Sequence, residues 1–159
     1  MKKIMLIGHG RHGKDTVAEL LRDNHGYKLL PASWTFAEEF MREYMGYATT
    51  QECFDDRVNY RDLWGDKIAD YNTPNPAALA TRVMQESDLY VGCRRMREFY
   101  AAAPMFDHVV WVDRGMHLPA EPVSSMELGS VDADIIIDNN GTLDDLKAEV
   151  SAVVKAGWL

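Results

Sequence analysis

The residues with the clearest chemical purpose run from Gly8 to Thr16, GHGRHGKDT. Gly8, Gly13 and the lysine that follows give the GxxxxGK spacing of a phosphate-holding loop. The glycines permit backbone angles that curl the loop and turn its N–H groups inward around an anion. A helix opening at Lys14 adds the partial positive charge of its N-terminus beneath that anion. Lys14 is then placed to reach the outer phosphates and to neutralise charge as one is transferred. On this reading Gly8, Gly10, Arg11, His12, Gly13, Lys14, Asp15 and Thr16 are the nucleotide contacts. His9 and His12 lie between the glycines, so phosphate contact and mere tolerance both stay open for them.

The residue after the lysine is ordinarily Ser or Thr, whose hydroxyl binds Mg²⁺; here it is Asp15, with Thr16 next. A carboxylate is a hard oxygen ligand and suits Mg²⁺ directly or through water. An acid in the first turn of a helix is equally a cap, and the two roles stand side by side. Phosphoryl transfer between two anions also needs further cations to hold donor and acceptor together. Arg57 and Arg61 are spaced one helical turn apart. Arg94, Arg95 and Arg97 follow an apolar run ending at Val91, and Arg114 follows another ending at Val112. A metal-anchoring Walker B aspartate is missing near Gly92; VVWVD offers Asp113 instead. Trp34 and Phe36 suit stacking on a base or packing in a core. Glu98 reads first as part of an exposed helix face, with an inward turn as a helper to the site as the alternative. Ser124 and Ser125 are weak candidates for polar contacts, and Asn139 and Asn140 suit either donor-base contact or helix capping.

The elements that must position these groups follow from apolar periodicity. Short apolar runs at residues 2–7, 27–30, 88–91, 108–112 and 135–137 read as strands. Val17, Leu20 and Leu21 form a helical face between Lys14 and Gly26. Ala37, Phe40, Met41, Tyr44 and Met45 form a second, and Tyr60, Leu63, Trp64, Ile68 and Tyr71 a third. Further helices are expected near Pro76, over 94–103, and after a Thr142 cap. Alternation of strand and helix predicts an α/β domain, with a parallel sheet of about five strands covered on both faces. The three-residue set of glycine and prolines in 113–125 marks the segment expected to be mobile.

The chain has 159 residues, 47% hydrophobic and 26% charged, which suits one soluble domain. Lys and Arg total 17 against 25 Asp and Glu, a net charge of -8, and that field is the wrong sign for a nucleic-acid polymer. Cys53 and Cys93 have no metal-like spacing and read as buried free thiols of a reducing, cytoplasmic compartment. The apolar run Ile4–Ile7 is too short for an export signal, and no stretch approaches the ~20 apolar residues of a membrane span.

The sequence resembles bacteriophage-type deoxynucleoside monophosphate kinases along nearly its whole length. The resemblance rests on GHGRHGKDTVAELL, ASWTFAEEFM, RVNYRDLWGDKIADYN, DLYVGCRRMREF, VDR followed by EPVSSMEL, and ADIIIDNNGTLDDL. It implies a three-layer P-loop kinase fold of the adenylate-kinase type, ATP with Mg²⁺ as cofactors, and a deoxynucleoside monophosphate as acceptor. It further implies an acceptor-binding helical region over about 31–86, drawing on Ser33, Trp34, Phe36, Arg57 and Arg61, together with Arg94 and Arg97. A short lid over about 113–125 would bring Arg114, and Asn139 would lie near the donor adenine. Lys14, Arg94 and Arg114 are then the catalytic set, with Asp15 and Asp113 as metal ligands, in the host cytoplasm if phage-encoded. A homodimer is left open. Regulatory GTPases are disfavoured: NKxD is absent, and DNNG at 138–141 falls before the last helix. The alternatives are a phosphomevalonate-kinase-like or dephospho-coenzyme-A-kinase-like enzyme, or a nucleotide-binding regulator without turnover.

Overall fold

A computed structural model describes the chain from Met1 to Leu159. Strand β1 (Ile4–Ile7) is buried along its whole length, as a continuous apolar run requires when both sheet faces are covered. It leads through the glycine-rich loop into α1 (Lys14–His25), which stops at Gly26 in the left-handed conformation, φ 76°. Helix α2 (Ala32–Phe36) passes through a π-helical turn at Ala37–Met41 into α3 (Arg42–Met45). The π turn shifts the face expected for 37–45: Ala37 and Met41 are buried, whereas Tyr44 is exposed. Helix α4 (Thr50–Asp56) has no strong apolar stripe and was not expected; a reciprocal Thr49–Glu52 capping box starts it.

A 3₁₀ turn at Arg57–Asn59 separates α4 from α5 (Arg61–Tyr71), so Arg57 and Arg61 do not share one helical face. Helix α6 (Ala78–Met84) precedes β2 (Leu89–Val91), and α7 (Met96–Ala102) precedes β3 (His108–Asp113). Strand β4 (Ile135–Asp138) leads to α8 (Leu143–Lys155), whose Thr142 hydroxyl accepts from the Asp145 N–H, as the sequence anticipated.

The sheet is parallel and four-stranded, in the order β2-β1-β3-β4. The fifth strand expected at residues 27–30 is reduced to a single bridge, Leu29 to Leu89. Side chains replace the ladder there. The Asp88 carboxylate accepts from Lys28 N–H at 2.9 Å, and Ser87 Oγ accepts from Leu30 N–H at 3.1 Å. Along β1 the side chains alternate between two cores. Met5 and Ile7 face the layer built from α2 and α4 to α7, while Ile4 and Leu6 face α1 and α8. Both cysteines are free and buried. No helix is long and apolar enough to cross a membrane.

Strand order decides where a site can form. From β1 the chain moves to β2 on one side, returns past β1 to β3, and ends at β4 on the other. Connections therefore diverge at the carboxyl ends of β1 and β3, the position where open α/β sheets leave a crevice. The loops after all four strands meet along that edge.

Candidate functional site

The loop after β1 is held in its curl by close approach on both flanks. Gly8 has φ 147°, and a Cβ there would lie 2.7 Å from the Val112 carbonyl oxygen of β3. Gly13 has φ 100°, and a Cβ on it would collide with the side-chain amide of Asn139, after β4. Arg11 takes the left-handed conformation at φ 62°, an uncommon choice for a residue with a side chain. Lys14 folds inward, donating from Nζ to Gly8 O at 2.8 Å and His9 O at 2.7 Å. It is not the solvated side chain that a loop lysine suggests, since only 9% of it is exposed. Burial, with the nearby Arg94 charge, pulls its pKa down from 10.5 to about 8, against the opposing pull of Asp15 and Glu121.

His12 is 1% exposed and its Nδ1 accepts from Arg114 N–H at 3.0 Å. That bond leaves the proton of the neutral ring on Nε2, which is buried with no hydrogen-bond partner. His9 stands edge-on to both His12 and Trp111. Burial lowers its pKa, protonation of His12 beside it would lower it further, and the charges of Lys14 and Arg94 add to that, with Glu121 opposing. Arg114 donates to Asn139 O at 2.6 Å, and Asn139 donates to His12 O at 2.9 Å. Asn139 is therefore a buried tie between the fourth strand and the loop rather than a helix cap, which is Thr142's role. A cavity of about 340 Å³ opens beside this tie, lined among others by Arg11, Gly13, Thr16, Arg114 and Leu143.

Arg94 sits at the same edge, with Nη1 on both oxygens of Glu121, at 2.8 and 2.7 Å. Glu121 also accepts from the Gly10 N–H at 2.7 Å. Burial tends to raise its pKa, but the bonds from Arg94 and Gly10 and the charges of Arg94 and Lys14 outweigh that and hold it low. Sequence reasoning missed Glu121, because it lies in a connection where periodicity carries no information. The segment expected to be mobile is instead pinned to the loop by these bonds. Arg95 ties it further, reaching Ser124 O at 2.8 Å and Glu127 at 3.2 Å.

The remaining candidates scatter. Asp15 is exposed in the first turn of α1. Asp113 spends its carboxylate on Gly115 N–H and the Asn140 amide, both at 3.1 Å. No group of three or more His, Cys, Asp or Glu side chains is arranged to hold a metal. Mg²⁺ on a polyphosphate needs only one or two protein oxygens, so Asp15 and Thr16, at the helix start, fit that requirement better than the engaged Asp113.

Phe36 is 1% exposed and packs among Phe40, Trp64 and Tyr71, so it is core and cannot stack on a ligand. Trp34 is half-buried, edge-on to Phe54, with Ser33 beside it on α2. Arg57 is engaged too, its guanidinium 3.7 Å over the Phe54 ring and bonded to Phe54 O. Arg61 is exposed and borders a second cavity of about 490 Å³ at Val58–Leu63. Arg97 reaches Thr73 O at 3.2 Å from an exposed position. Glu98 is not on an exposed face: it turns inward to the Tyr90 hydroxyl, and burial raises its pKa.

No protein-family model matches the chain, and no curated protein matches it significantly. Among solved structures, TT1252 from Thermus thermophilus is similar at 18% identity, over 98% of this chain and 97% of that one, with a TM-score of 0.49.

Proposed function

We propose that the chain is a P-loop kinase that transfers the γ-phosphoryl group of ATP to a deoxynucleoside 5′-monophosphate. The observation that carries this is the Gly8–Gly13 curl closed on an inward-held Lys14 at the carboxyl end of the central strand. The Gly10 N–H that meets a carboxylate, a helix N-terminus and a desolvated cation supply an electrostatic cradle suited to polyphosphate. Arg94 and Arg114 come from the two neighbouring strands, where a second phosphate would be met. The choice of a monophosphate acceptor rests on the sequence resemblance. An acceptor phosphate is ionised and needs no general base, so positioning and charge neutralisation suffice. When bound, Mg²⁺ would draw charge from the transferring group, with Asp15 and Thr16 the residues placed to hold it or its waters.

The test is a panel of deoxynucleoside and ribonucleoside monophosphates, phosphomevalonate and dephospho-coenzyme A, each incubated with ATP and Mg²⁺. Diphosphate formed stoichiometrically from a deoxynucleotide supports the reading. Product from another acceptor reassigns the substrate, and no turnover with any acceptor rejects kinase activity on this panel.

A further inference from the structure

We propose that the strap 114–127 is a latch whose Glu121 carboxylate occupies the phosphate position of the glycine loop, so that a polyphosphate ligand binds there only by displacing it. This rests on the phosphate-site reading above and adds to it a device for which neither the loop pattern nor the comparisons give any sign.

The geometry is that of a bound anion. One oxygen of Glu121 accepts from the Gly10 N–H, and both accept from Arg94. The carboxylate packs directly on the loop at this glycine: a Cβ on Gly10 would stand 3.2 Å from it and make it shift by a few tenths of an ångström. Lys14 contributes the surrounding field, and the His9 ring holds the strap's backbone instead, its Nδ1 accepting from the Glu121 N–H at 3.1 Å. A backbone N–H and an arginine bonded to two oxygens, with a lysine charge nearby, are the groups a phosphate would recruit. A polyphosphate and Glu121 in one cradle would repel each other, and Arg94 cannot serve both.

The strap is built to let go locally. Its far end is fixed by Met126 and Leu128, each 3% exposed in the larger core, and by Glu127 N–H on Arg94 O at 2.9 Å. Its near end is fixed by Arg114 on Asn139. Between them Gly115–His117, Pro119–Ala120 and Pro122–Ser124 are exposed, and their ties, Met116 and His117 to Asn140 and Ser124 O to Arg95, lie outside the core, so Glu121 can swing out without opening it. A latch closed most of the time lowers the apparent affinity of the loop by the fraction open.

The experiment compares the full-length parent with Glu121→Gln and Glu121→Ala, after melting curves establish that all three are folded. Amide hydrogen exchange without ligand reads the latch. Calorimetric titration with inorganic tripolyphosphate reads the site. The expected result is faster exchange over 115–125 in both variants, and tripolyphosphate bound about tenfold more tightly or better, since one competing charged contact is gone. Equal or weaker binding by both variants, with a parent that does bind, overturns the latch and leaves the phosphate site standing. Failure of the parent and both variants to bind tripolyphosphate or ATP overturns the phosphate site, and the proposed competition with it.

Discussion

Lys14 carries its charge where water is scarce, and its pKa of about 8 measures the cost. The fall from 10.5 to about 8 weighs on the order of 3 kcal/mol against the charged form. The unfolded chain keeps this proton up to its ordinary pKa while the folded chain releases it near 8. Stability should therefore rise as pH climbs from about 8 to 10.5. Lys14→Met lacks the group, so its melting temperature should climb less across that window than the parent's. The same variant should retain the fold and lose turnover by about a hundred- to thousandfold, the scale of one missing transition-state clamp. Denaturation curves at stepped pH and initial rates check the two halves.

Asp15, exposed at the start of α1, tests metal handling. If its carboxylate helps to hold Mg²⁺, Asp15→Asn raises the Mg²⁺ concentration for half-maximal rate, and Asp15→Ser recovers more activity than Asp15→Ala. A Mg²⁺ midpoint equal in all four proteins removes it as a ligand and leaves it a helix-terminal charge.

The connection from β1 to α1 depends on its neighbours as much as on its own glycines. At Gly8 the obstacle to a side chain is backbone, the Val112 carbonyl of β3, which cannot rotate away. Gly8→Ala should destabilise the fold by about 2 kcal/mol or more, from the positive φ and the clash together. At the other end of the chain, Thr142→Ala removes the hydroxyl that accepts from Asp145 N–H and should cost about 1 kcal/mol. The two should differ in kind. Thr142→Ala lowers the urea midpoint with a much smaller effect on rate, because its hydroxyl is spent on Asp145 although Thr142 shares with Gly13 and Thr16 the lining of the cavity beside the loop. Gly8→Ala lowers the midpoint and the rate together. Paired urea denaturation and steady-state assays separate them.

For the molecule as a whole, a ligand that binds only the folded state must stabilise it. ATP with Mg²⁺ at about a hundred times its dissociation constant should add about 2.7 kcal/mol, or roughly 5–10 °C in melting temperature for a domain of this size. A thermal shift series with ATP, with and without Mg²⁺, reads this, and an unchanged Tm at saturating nucleotide contradicts a nucleotide site. The sequence alone determined the alternation of strand and helix, the loop between β1 and α1, and the Thr142 cap. Each is a local matter: residue order within one or two turns fixes the angles and the buried face. Tertiary structure decided the rest. Residues 27–30 have the composition of a strand, yet Ser87 and Asp88 side chains take up the bonds that a ladder would use. Phe36 could equally have faced a base, until packing against Trp64 and Tyr71 placed it in the core. Glu98 turned inward because β2 presents the Tyr90 hydroxyl to it. Lys14 folds inward onto the carbonyls of its own loop with Arg94 from after β2 and Glu121 from after β3 beside it, and Glu121 reaches the loop across more than a hundred residues of chain. Such contacts join segments distant in sequence, and no periodicity or spacing within either segment encodes the partner.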